Sequence, residues 1–146
     1  MTDWKKVLDS ILENSSHEKP LLTSKAYETL GLPRLKKWEP GDVLAEWAFD
    51  ERMGNSRGEL FGGFYAVLAD EVSALAAMSV MKPNEIMKTL DLRVSFFRPL
   101  TEGIVKIRAF VLNRSGSAVH VEAEFHDQQG KLLAKAFAIH KTIEAE

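Results

Sequence analysis

The stretch Phe61 to Met81, FGGFYAVLADEVSALAAMSVM, decides the architecture. From Gly63 to Met81 it is rich in Ala, Leu and Met and is stopped by Pro83, which predicts one long helix. Phe64, Val67, Leu68, Val72, Leu75 and Met78 share one face of it. Around Asp70, Ala66, Ser73 and Ala74 one turn away and Ala77 two turns away are small, so that a backbone or a ligand can approach that side closely. Asp70 and Glu71 sit at the middle of the stretch, where a membrane-spanning helix tolerates charge least. The helix therefore belongs inside a protein rather than a bilayer.

Upstream, Glu51 to Gly63 holds Gly54, Gly58, Gly62 and Gly63, too many glycines for the interior of a helix or strand, and reads as a shaped loop. Before it, Val43 to Asp50 has the apolar and aromatic content of a strand entered through Pro40-Gly41. Downstream, strands are predicted over Met87 to Phe97, Gly103 to Asn113, Ala118 to Asp127 and Leu132 to Ile143. They are separated by Pro99, by Arg114-Ser115-Gly116 and by Gln129-Gly130. One strand, one long helix and four strands joined by short turns make an α+β protein with an antiparallel sheet wrapped around the helix. Residues 1–42 read as a helical lead-in, with an amphipathic helix carrying Val7, Leu8, Ile11 and Leu12. A polar turn follows over Asn14 to Pro20, then a short helix from Thr23 to Leu30 that stops at Gly31. Residues 43–146 form the main domain.

The chain has 146 residues, 45% hydrophobic and 27% charged, which suits one soluble globular domain. It has no cysteine, which excludes disulfides, a thiolate nucleophile and Cys-based metal sites and points to a reducing, cytoplasmic setting. With 19 Lys+Arg against 21 Asp+Glu and no basic run, nucleic acid has no electrostatic foothold. Asp9 and Glu13 interrupt the only apolar segment near the start, so no signal peptide is expected. His17, His120, His126 and His140 lack ligand spacing and read as ordinary histidines, leaving no expected metal.

A glycine pair opening a buried helix offers unpaired amides to an anion or a developing oxyanion. Asp70, two turns on, is a carboxylate embedded in an apolar helix, costly unless hydrogen-bonded or functional. Structural and catalytic roles both remain open on these residues alone.

The order Asn55-x-x-Gly58-x-x-Phe61-Gly62-Gly63, six residues, then Asp70 resembles the signature of the PaaI-type hotdog-fold acyl-CoA thioesterases, N-x-x-G-x-x-H-G-G, six residues, then Asp. Thr89 to Pro99 resembles the family's strand after the helix, and Asn113 to Gly116 the following hairpin. The resemblance implies a hotdog fold and hydrolysis of an acyl-CoA thioester to a free acid and coenzyme A, with no metal or redox cofactor. It gives Asp70 the role of activating water or attacking the thioester, and the Gly62 N–H that of stabilising the oxyanion. Thr89 would position the water, and Asn55 the thioester or the nucleophile. Phe61 and Gly63 would line the substrate site, with Lys88 and above all Arg114 holding coenzyme A phosphates. The family builds its site across a homodimer, paired into a tetramer.

Phe61 departs from the pattern, since a phenyl ring cannot make the hydrogen bonds of the family's His. The departure leaves open a non-catalytic acyl-CoA-binding hotdog module. Glu71 is the second candidate carboxylate, turned about 100° from Asp70 on the helix. Phe61, Phe64, Tyr65 and Met78 near the glycine pair predict a preference for apolar medium-chain or aryl acyl groups.

Overall fold

The structure is a computed structural model and describes residues 1–14 and 25–146. The elements run α1 (Trp4–Asn14), α2 (Lys25–Leu30), β1 (Arg34–Glu39), β2 (Asp42–Ala48), a 3-10 turn (Glu51–Met53), α3 (Gly62–Met78), β3 (Glu85–Phe96), β4 (Ile104–Ser115), β5 (Ala118–His126) and β6 (Leu132–Glu144). Most of the polar turn expected after α1, the start of the second helix at Thr23, and His17 lie outside the described residues. The strands form one antiparallel sheet in the order β1-β2-β4-β5-β6-β3. Its concave face wraps α3, which packs on β2 through β6. This is the hotdog arrangement, a sausage of helix in a roll of sheet.

α3 is apolar almost all round because it is enclosed almost all round: Leu68, Ala69, Val72 and Ala76 are completely buried. It ends at Met78 rather than Met81. The Ser79 hydroxyl turns back onto the Ala76 carbonyl at 2.6 Å and accepts the Gly41 N–H at 2.8 Å, and Pro83 prevents continuation. The next few residues are tied to distant parts of the chain. Thr2 N–H donates to Pro83 O at 2.9 Å, Ala145 N–H to Asn84 O at 2.7 Å, and Trp4 Nε1–H to Glu85 O at 2.9 Å.

β1 lies inside the segment read as a helical lead-in, so that segment also supplies the sixth strand. Its register with β2 slips between Leu35 and Lys37. The extra residue puts Leu35, which is buried, and Trp38, which packs on the core, on one side at a spacing of three. In sequence that spacing mimics a helix and hides the strand's period of two. α1 covers this region, with Leu8 fully buried and Asp9 accepting the Trp38 indole N–H at 2.9 Å.

Two further bulges set the site. In β3 the register shifts between Thr89 and Asp91, and in β4 between Val111 and Asn113. Leu90 and Leu112 are the extra residues, both exposed. Each bulge exchanges the strand's inner and outer faces. In β3 the inward residues are Glu85, Met87 and Thr89 before Leu90, then Leu92, Val94 and Phe96 after it. In β4 they are Val105, Ile107 and Ala109, then Arg114. Between the bulges, Arg114, Val119, His140 and Thr89 form one row across four strands.

Candidate active site

Asp70 leaves α3 on its small-residue side and is exposed, while its neighbours Ala69 and Ser73 are buried. Thr89, brought inward by the β3 bulge, donates its hydroxyl proton to Asp70 Oδ1 at 2.8 Å. Behind Thr89 stands His140, fully buried, with Nδ1 at 3.3 Å from Thr89 Oγ1 and Nε2 at 2.9 Å from Ser73 Oγ. Proton counting orders this chain. Thr89 has one proton and gives it to a carboxylate, so His140 reaches it by donating from Nδ1, and its bare Nε2 shares the one Ser73 hydroxyl proton with the Asp70 backbone carbonyl, 3.2 Å from Ser73 Oγ. That requires a neutral ring. Burial lowers the His140 pKa below the usual imidazole value, against the pull of the Asp70 charge.

His140 and Ser73 escaped the sequence reading, although a signal exists. Ala134, Ala136, Ala138, His140 and Thr142 alternate along β6 and all are buried. A histidine in an inward file of alanines is a buried polar group that needs partners.

Glu71, next to Asp70, points elsewhere. It accepts the Tyr27 hydroxyl of α2 at 2.5 Å, and burial raises its pKa, aided by the nearby Asp70 charge and opposed by the Tyr27 hydrogen bond. The contact ties α2 to α3.

A second cluster surrounds the start of α3. Asn55 Oδ1 accepts the N–H groups of Arg57 at 2.9 Å and Glu59 at 3.1 Å, which fixes the amide's orientation and shapes the loop. Its Nδ2 has only a long contact of 3.4 Å to Glu59 and keeps a proton to donate. Phe61 is the residue before α3, its ring half out in solvent, and no side chain caps the helix. A Cβ on Gly62 would sit 3.2 Å from the Phe96 ring, so glycine is needed for that close approach, whereas a Cβ on Gly63 would meet open space. Asn55, Gly62, Leu60, Tyr65, Phe96 and Arg98 line a cleft of about 440 Å³ here.

The two clusters are separate within one chain. Gly62 and Asp70 are eight residues apart on α3, about 12 Å along its axis, too far for both to touch one thioester carbon. Of the expected phosphate ligands, Arg114 is engaged at the other end of α3, with Nη1 on Val80 O and Nη2 on Glu85 Oε1, both at 2.5 Å. Lys88 is exposed beside Thr89 and pairs in register with Lys141, also exposed, leaving two like charges adjacent. Phe64 and Met78 belong to the core and do not flank the cleft.

Residues 57–134 match the model of the thioesterase superfamily. The chain belongs to this family. A candidate esterase of Saccharolobus solfataricus is 34% identical over 100 residues, 67% of this chain and 69% of that protein. Acyl-coenzyme A thioesterase 13 of Homo sapiens is 29% identical over 109 residues, 73% of this chain and 76% of that protein. Among solved structures, a candidate thioesterase related to phenylacetic acid degradation from Ralstonia eutropha JMP134 superposes with a TM-score of 0.76 at 25% identity. It covers 90% of this chain and 98% of that one. The protein is thus a hotdog thioester hydrolase of PaaI type. Among the described residues no helix is long and apolar enough to cross a membrane.

Proposed function

We propose that the protein hydrolyses acyl-CoA thioesters, with Asp70 as the working carboxylate and without a metal or redox cofactor. The observation that carries this reading is the Thr89 to Asp70 hydrogen bond on the small-residue side of α3. It holds Oδ1 and leaves Oδ2 without a partner among the described residues. Oδ2 takes a proton from water as the water oxygen attacks the thioester carbon. The Gly62 N–H, at the positive end of α3, and Asn55 Nδ2 face the developing oxyanion. Collapse of the tetrahedral species breaks the C–S bond, and the proton held by Asp70 passes to the departing sulfur.

The gap between Gly62 and Asp70 supports a site shared by two copies, Asp70 and Thr89 from one and Asn55 and Gly62 from the other. β3 supports it too, being an edge strand with Ile86, Leu90 and Phe96 exposed, a surface that invites pairing. Lys88 beside the carboxylate suits a coenzyme A phosphate. The relative named acyl-coenzyme A thioesterase 13 favours the same substrate class.

The test is the purified protein with a panel of acyl-CoAs and a thiol-reactive dye. Release of free thiol supports hydrolysis. Phe61, where the family has His, favours the second reading, an acyl-CoA-binding module, and binding of every substrate without thiol release would establish it.

A further inference from the structure

Two polar side chains are buried behind Thr89. His140 follows three inward alanines on β6 and is completely buried, and Ser73, facing it from α3, is buried as well. Each carries a cost where it stands. Alanine is the better helix former at position 73, and leucine would fill the space at position 140 without burying two ring nitrogens. Packing therefore does not account for the pair. In the sheet His140 lies between Val119 of β5, which has no polar side-chain group, and Thr89 of β3. Both ring nitrogens are nevertheless engaged, Nε2 at 2.9 Å from Ser73 Oγ and Nδ1 at 3.3 Å from Thr89 Oγ1.

The contact to Thr89 matters because of what Thr89 holds. Asp70 is exposed, and its carboxylate can turn about the Cβ–Cγ bond unless one oxygen is fixed; Thr89 fixes Oδ1 at 2.8 Å. The threonine hydroxyl can itself rotate, since it has one proton and two lone pairs. A donor placed on its oxygen occupies a lone pair and leaves the proton aimed at Asp70. Burial keeps the imidazole neutral, so only one of its nitrogens carries a hydrogen and the ring is a directional link.

We infer that His140 is a positioning residue for hydrolysis, donating from Nδ1 to Thr89 so that Thr89 keeps its proton on Asp70 Oδ1 and Oδ2 stays free for the attacking water. This rests on the Asp70 reading above and extends it by one residue. His140 is shut off from solvent and acts only through Thr89. One other arrangement satisfies the same buried groups. In it Nε2–H donates to Ser73 Oγ, the Ser73 proton goes wholly to the Asp70 backbone carbonyl at 3.2 Å, and a bare Nδ1 accepts from Thr89. Asp70 Oδ1 then loses its donor. The carboxylate charge selects the first arrangement, because a hydrogen bond to an ionised acceptor is stronger than one to a neutral ring nitrogen.

The test reads the tautomer and the kinetics together. Nitrogen NMR of the labelled imidazole near pH 8 should show the proton on Nδ1 in wild type and on Nε2 in Thr89→Val, where nothing is left to accept from Nδ1. With the acyl-CoA that wild type hydrolyses fastest, His140→Leu should lower kcat at least about 10-fold and leave KM within about 2-fold. His140→Asn, whose amide nitrogen is bonded to Cγ as Nδ1 is, should stay within about 3-fold of wild type, whereas His140→Gln, whose amide nitrogen takes the place of Nε2, should fall with His140→Leu. In a Thr89→Val background His140→Leu should cost less than about 2-fold more, since it acts through Thr89. A ring protonated on Nε2 in wild type overturns the inference, and so does a tautomer unmoved by Thr89→Val. Equal losses in His140→Asn and His140→Leu, or losses that add to that of Thr89→Val, overturn it as well, for they are what a merely structural histidine gives. Should His140→Leu fail to fold, His140→Asn against His140→Gln makes the same comparison. If wild type releases thiol from no acyl-CoA, the Asp70 reading fails on its own, and the pair of tautomers alone decides whether His140 orients Thr89.

Discussion

Thr89 has one hydroxyl proton, and Asp70 receives it at 2.8 Å. The rest of the site's chemistry follows from that commitment. Asp70→Asn removes the proposed base and should lower kcat at least about 10²-fold with KM little changed. Near-normal rates in that variant together with loss in Glu71→Gln would move the role to Glu71. His140 makes a pH prediction whose sign can be worked out. Its folded pKa lies below the unfolded value near 6.5, because burial disfavours the charged ring. The unfolded chain therefore binds more protons as the pH falls through the interval between the two values. The stability that neutral His140 contributes is whole above the unfolded pKa and is lost as the pH drops toward the folded one. Glu71 works in the opposite sense: its raised folded pKa makes the folded chain the better proton binder above the ordinary glutamate value. Comparing His140→Gln with wild type isolates the histidine. The variant should be less stable near pH 8, and its deficit in urea denaturation should shrink as the pH falls below about 6.5. A deficit constant across the range would mean that the imidazole does not titrate on unfolding in this way.

At the scale of elements, α3 was legible because composition, glycines and proline agree over its length, and the downstream hairpins because alternation and turn residues agree. Asn55, Gly62, Asp70 and Thr89 were named through the resemblance to the family signature, and of these the structure brings Asp70 and Thr89 into contact. What sequence hid was face. β1 was hidden because its bulge breaks the alternation of Leu35 and Trp38, and His140 because its importance depends on sitting opposite Thr89, a pairing that the bulge at Leu90 selects. That bulge makes its own prediction. Deleting Leu90 makes the spacing from Thr89 to Phe96 even and leaves Thr89 opposite His140 and Asp91 opposite Ile139, so Thr89 and Phe96 both still face α3. The hydrogen bond to Asp70 and the Phe96 cover of the cleft are then kept together. Turnover should stay within about 10-fold of wild type while the far-ultraviolet circular dichroism stays that of a folded hotdog. A larger loss would show that the extra residue itself, and not the facing of its neighbours, sets the site.

For the whole molecule, the distance between the carboxylate and the helix start predicts that one chain alone is not the working unit. Light scattering at assay concentration should give a dimer or larger, and dilution toward monomer should lower specific activity. A fully active monomer would require both clusters to serve one substrate within a single chain. Composition had nothing to say about this, since an edge strand is defined by the neighbours it lacks.

The hydrogen bonds that tie Thr2 to Pro83 and Ala145 to Asn84 have a topological consequence. Two successive residues of one turn hold the two ends of the path, so the backbone is nearly a closed ring with a small gap. A linker of a few residues would close it, and the ring could be reopened at the Gln129-Gly130 turn, outside every strand. The rearranged chain would keep the sheet order and both clusters. The ends meet beside the last turn of α3, at the other end of the helix from the cleft, so cargo fused to either end would leave the approach to Gly62 clear.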